Sequence, residues 1–65
     1  MEKYLLYVAN SKCAQYFCGE KRDGTILFCA SRSLAVILPE YARDVWTHII
    51  SDRTGHKPLT LPVDV

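Results

Sequence analysis

The sequence predicts an α+β domain: an antiparallel sheet of three to five strands with a single helix packed on one face. Three observations lead there. Residues 38–52, LPEYARDVWTHIISD, form the one stretch long and periodic enough for a helix, with Ala42, Val45, Trp46, Ile49 and Ile50 recurring as an apolar stripe. Short runs rich in β-branched and aromatic residues flank it on both sides. Short connections in the order strand-strand-strand-helix-strand favour this arrangement over a doubly wound fold.

Taken in order, residues 3–9, KYLLYVA, read as the first strand. It is apolar on both alternating faces, so it belongs in the middle of a sheet. Asn10, Ser11 and Lys12 supply a turn, and residues 14–18, AQYFC, a second short strand, making a hairpin. Residues 19–24, GEKRDG, are a charged turn in which Asp23-Gly24 is a favoured pair. Residues 25–29, TILFC, form a third strand, and residues 30–33 break the pattern. Residues 34–38, LAVIL, fit either a strand or one helical turn followed by a short strand, a choice periodicity does not decide in so short a run.

The helix is expected over about residues 39–52, with Pro39 in the first helical position, where its missing N–H is no loss. Glu40 complements the positive end of the helix dipole, and Gly55 is suited to the left-handed conformation that ends a helix. The final stretch, 57–65, alternates cleanly, with Leu59, Leu61, Val63 and Val65 on one side. Pro58 and Pro62 have the same parity, so both missing N–H donors fall on one edge. This makes the segment an edge strand with its proline side outward. The expected core is Leu6, Val8, Leu27, Val36, Ala42, Val45, Trp46, Ile49, Leu59 and Leu61.

Composition narrows the function. A chain of 65 residues is one domain, and at that length only about 60% of the unfolded surface becomes buried. Its 49% apolar content is ample for a core and its net charge is +1, unlike a strongly basic nucleic-acid binder or a polybasic membrane anchor. The longest apolar run, 34–38, is too short to span a bilayer, and the N-terminal apolar stretch is too short for a signal peptide. These features point to the cytoplasm. Cys13, Cys18 and Cys29 are odd in number, and reduced buried thiols are the default there.

The chemistry-bearing candidates are few. Cys13, Cys18, Cys29, His48 and His56 are too loosely spaced for a tetrahedral zinc knuckle, so no metal or cofactor is expected. Asp44 and His48 stand one helical turn apart, but on the polar face, where a solvated pair is the simpler reading. The sequence shows no recognisable catalytic motif, and no catalytic residue is assigned. Tyr4, Tyr7, Tyr16 and Phe17 lie on neighbouring strands, with Lys12, Lys21, Arg22 and Arg32 in the turns. Aromatics flanked by basic loops suit single-stranded nucleic acid. A first strand apolar on both faces, with one helix to cover it, equally suits a protein contact or a homodimer. The reading adopted is a non-enzymatic protein-binding module, with single-stranded nucleic-acid binding as the alternative. Its interaction candidates are Tyr4, Tyr7, Tyr16, Lys21, Arg22 and Arg32.

Together, the hairpin pieces Tyr4-Leu5-Leu6-Tyr7-Val8 and Tyr16-Phe17-Cys18-Gly19, the small residue Ala35, the helix opening Leu38-Pro39-Glu40-Tyr41-Ala42 and the last strand at 59–63 form a pattern. It resembles small phage- and prophage-encoded β-β-β-α-β accessory proteins. The chain departs from their pattern in its three cysteines and in the run 31–34. The resemblance implies a compact accessory protein, of a type that in some cases inhibits a host defence or regulatory complex. It carries over no active residue.

Overall fold

A computed structural model describes residues 2–9 and 12–63; the expected turn at Asn10 and Ser11 and the strand end at Asp64 and Val65 lie outside the described residues. The elements run β1 (Lys3–Ala9), β2 (Ala14–Glu20), β3 (Ile26–Cys29), a 3-10 turn (Arg32–Leu34), β4 (Leu38–Pro39), α1 (Glu40–Thr54) and β5 (Leu59–Val63). The fold is the α+β arrangement the sequence predicts: one five-stranded antiparallel sheet and a single helix.

β1 is the centre of the sheet. Tyr7 pairs with both Tyr16 of β2 and Leu59 of β5, so those two strands occupy opposite edges of β1. Lys3 likewise pairs with both Pro39 of β4 and Val63 of β5. β2 and β4 therefore share one edge of β1, each pairing with a different half. β1 and β2 part company beyond the Tyr7–Tyr16 pair, and the segment leading into β4 fills the gap. There the Val36 N–H donates to the Phe17 carbonyl at 3.0 Å. Of residues 34–38 only Leu34 lies in the 3-10 turn and only Leu38 in β4, so the run takes neither of the two expected forms in full. The turn sits earlier than the apolar run itself.

β2 extends through Gly19 and Glu20, so the turn expected at 19–24 contracts to 21–25. The Lys21 N–H donates to the Thr25 carbonyl and the Gly24 N–H to the Lys21 carbonyl. A β-bulge lies between Phe17 and Gly19, where the register against β3 shifts by one residue. Gly19 adopts φ +145° there, which suits a residue with no Cβ.

The helix starts at Glu40 rather than Pro39. Pro39 is extended, pairs with Lys3 in β4 and acts as the N-cap. At the other end Arg53 and Thr54 prolong the helix to Gly55, which turns left-handed at φ 76° and donates its N–H to the Ser51 carbonyl.

The core is centred on Leu6, Phe17, Leu38 and Ile50, with Ile26, Phe28, Val36, Ala42 and Trp46 packed against it. Ala42, Trp46 and Ile50, at strict i, i+4 spacing, are therefore the working stripe of the helix. Val45 is 54% exposed and Leu59 is 52% exposed, so neither belongs to the core where the sequence put them. Val45 precedes Trp46 on the helix and is rotated about 100° away from it. Leu59 faces away from the helix, as do Leu27 and Leu61. Phe17 and Ile50 are buried instead.

Two substitutions separate packing from backbone geometry. Trp46→Ala is expected to cost about 3–5 kcal/mol, enough to unfold a domain of this size. At Gly55 an added Cβ meets nothing within 4 Å, so Gly55→Ala is expected to cost only the left-handed backbone penalty of about 1–2 kcal/mol. Urea unfolding followed by circular dichroism checks both values.

Candidate functional site

Strand alternation divides the apolar residues between two faces. Leu6, Phe17, Ile26 and Phe28 pack under the helix. Their neighbours Leu5, Tyr7, Tyr16, Leu27 and Cys29 consequently point to the opposite side. The register adds Leu59 and Leu61, which pair with Tyr7 and Leu5. This second face carries no helix. Leu5, at its centre, is 1% exposed. Tyr7 and Tyr16 meet across β1 and β2 with ring centroids 6.1 Å apart and planes tilted by 43°. Ile37 and Leu59, 43% and 52% exposed, extend the apolar surface.

The six interaction candidates do not converge. Tyr7 and Tyr16 form the ring pair. Tyr4 belongs to the helix side: the Arg43 guanidinium lies 4.4 Å from its ring centroid, and its hydroxyl donates to Glu2. That hydrogen bond to a carboxylate pushes the phenol above its ordinary value of 10.0. Phe17 is likewise core, packed on Trp46 with centroids 4.9 Å apart. Lys21 and Arg22 stand in the β2–β3 turn, roughly 15 Å of strand away from Tyr16. Arg32 lies in the exposed 3-10 turn just past Cys29, the register partner of Tyr16. The structure therefore supports an apolar, aromatic face and not an aromatic platform ringed by cations.

The cysteines are distributed in a way spacing along the chain did not show. Cys13 is exposed before β2. Cys18 follows Phe17 in the bulge of β2, and Cys29 ends β3 opposite Tyr16, so both thiols stand on the open face. The Cys18 thiol donates to the Leu27 carbonyl at 3.5 Å and the Cys29 thiol to the Ser31 carbonyl at 3.4 Å. Burial, first of all, holds the Cys18 thiol above its ordinary value of 9.0, and the neighbouring Cys29 thiol adds to the effect. Among the described residues no group of three or more His, Cys, Asp or Glu side chains is placed to hold a metal ion.

Elsewhere the polar groups serve structure. Asp44 accepts from Arg43 at 3.1 Å, so its carboxylate is engaged by its neighbour one residue earlier. Arg53, near the helix end, reaches Glu20 and donates to the Gly24 carbonyl at 2.8 Å, clamping α1 to the β2–β3 turn. The described residues include no helix long and apolar enough to cross a membrane. No protein-family model matches the chain, and no curated protein or solved structure matches it significantly.

The turn supplies a pH test. Asp23 accepts the Thr25 N–H at 2.9 Å, and hydrogen bonding from Thr25 holds its carboxyl below the ordinary 3.8. A depressed folded-state value means stabilisation that is present above the unfolded value of about 3.9 and lost as pH falls through the lower folded value. Carbon-detected NMR titration of the Asp23 carboxyl is expected to give a midpoint below 3.8. Thr25→Pro, which deletes the donor N–H, is expected to raise it.

Proposed function

We propose that the protein is a non-enzymatic protein-binding module whose contact surface is the sheet face left open by the helix. The observation that carries this reading is the Tyr7–Tyr16 ring pair, set in an apolar face on the side of the sheet away from the helix, which no helix among the described residues covers. Exposed aromatic and aliphatic groups on a rigid sheet lose little side-chain entropy on binding and supply the buried area that an interface needs. The near-neutral charge of +1 suits a partner recognised by shape and apolar contact rather than by its own charge. The finer reading, a phage-type inhibitor or regulator of a host protein complex acting in the cytoplasm, rests on the sequence resemblance. A second copy of the chain is the other protein partner such a face can take.

Single-stranded nucleic acid is the alternative, since bases stack on tyrosine rings. The scatter of Lys21, Arg22 and Arg32 counts against it. The two readings part on salt. Phosphate contacts release counterions and weaken steeply as salt rises, whereas an apolar interface changes little.

The test is capture from host lysate, with and without nuclease, using wild type alongside Tyr16→Ala and Lys21→Ala/Arg22→Ala. A protein retained after nuclease, kept by the double lysine-arginine variant and reduced at least tenfold by Tyr16→Ala is the expected outcome. Equal retention by wild type and Tyr16→Ala, with the variant folded by circular dichroism, overturns the assignment of this face. Capture that disappears with nuclease moves the function to nucleic acid. Analytical ultracentrifugation of the purified protein reads self-association directly.

A further inference from the structure

β3 is an outer strand of the sheet, paired on one side with β2 and on the other with no strand among the described residues. Two hydrogen bonds fix which of its backbone groups face outward. The Val36 N–H donates to the Phe17 carbonyl from the β1 side of β2, so Phe17 points its groups away from β3. Phe28, opposite Phe17, therefore points its own away from β2. The Thr25 carbonyl accepts from the Lys21 N–H on the β2 side, which sets the same alternation from the other end. Ile26 and Phe28 thus present N–H and C=O to the outside, and Leu27 between them turns its groups to β2. The two outer edges of the sheet differ. Tyr7 pairs with Tyr16 and with Leu59. Carried across β1, the alternation turns Pro62 outward on β5, where it has no N–H to give. β3, with the sequence ILFC, holds neither proline nor charge, the devices that usually guard an edge.

We propose that the protein forms a two-fold dimer by antiparallel pairing of β3 with β3 of a second copy. The edge is complementary to itself. With the axis at Leu27, Ile26 of each copy faces Phe28 of the other, and each such pair exchanges both of its N–H···O bonds. Leu27 meets its own counterpart in the closer, non-bonded position, at a Cα separation of about 4.5 Å. Ile26, Leu27 and Phe28 are all apolar, so like meets like on both faces of the join. A net charge of +1 sets little repulsion between copies. Pro62 on β5 closes the assembly at two copies, because a third finds no equivalent edge to join. Leu27 stands on the open face, so the dimer makes one continuous surface from Tyr16 of one copy to Tyr16 of the other. Pairing through β3 does not depend on that face binding a partner.

The experiment follows the whole protein, kept reduced, by sedimentation equilibrium and by amide hydrogen exchange in NMR over a concentration series. The expected result is a monomer–dimer equilibrium in which the Ile26 and Phe28 amides gain protection as concentration rises, while the Thr60 amide, outward on β5, does not. Chemical synthesis of the chain supplies the variants. Backbone N-methylation at Phe28 removes an outward donor and leaves the side chain intact. It is expected to weaken the dimer by roughly tenfold or more, since two-fold symmetry doubles the lost hydrogen bond. N-methylation at Ile26 is expected to do the same, and serves if the first variant does not fold. N-methylation at Thr60 is expected to leave the dimer unchanged. Wild type that stays monomeric, or exchange at Ile26 and Phe28 that ignores concentration, overturns the proposal. So does a dimer weakened by Tyr16→Ala but by neither β3 methylation, which would move self-association to the open face.

Discussion

The contact between Phe17 and Trp46 is the joint on which the architecture depends. Their rings, 4.9 Å apart, join the helix to β2 at the point where β2 leaves β1. Around them Leu6 supplies the floor from β1 and Ile50 the next turn of the helix, with Leu38 closing the side. Aromatic groups of this size contribute most of the buried area in a domain whose core has only a few fully enclosed side chains. Each such burial is worth about 1.5–3 kcal/mol, a large share of what a 65-residue chain can hold. Losing that joint would free both the helix and the divergent half of the sheet.

A single helix on a five-stranded sheet forces an asymmetry. One face becomes a core, and the other must be polar, be covered or be used. In this chain the second face is built from Leu5, Tyr7, Tyr16, Leu27 and Leu61, which is an expensive choice for a surface that meets only water. Leu5, in the middle of that face, is nonetheless buried. The rings of Tyr7 and Tyr16 stand at its accessible part, and the Cys18–Cys29 pair lies along the same side.

Much of this was legible in the sequence. The two-sided apolarity of β1 marked it as central, and it pairs on both edges. The parity of Pro58 and Pro62 marked the last strand as an edge, and β5 pairs only with β1. Gly55 was read as the helix stop and is its C-cap, although the helix was expected to end near residue 52 and runs on through Thr54. Other features depend on geometry that no local pattern encodes. Pro39 was assigned to the helix because proline is at home in a first turn, but pairing with Lys3 held it extended. Tyr4 and Phe17 looked like members of one aromatic surface until the register sent them to the helix side and left Tyr7 and Tyr16 behind. Val45 was placed in the stripe by its helical spacing from Ala42 and Ile49, but it is exposed, and the Ala42, Trp46, Ile50 row is the one packed on the core. The register shift between Phe17 and Gly19 followed from a bulge, and a bulge shifts facing residues without leaving a clear signature in composition.

The pairing of β1 with β5 has a consequence for how the chain is made. Their partners lie roughly 50 to 60 positions apart in the chain, a separation that slows folding because a long loop must close before the contacts are gained. During synthesis β1 emerges first and waits. It can recruit β2 almost at once, but its other edge stays open until β5 has left the ribosome. Through that interval the most apolar strand of the protein presents bare amide and carbonyl groups along one side. A nascent chain in this condition is open to pairing with a neighbouring copy on the same polysome.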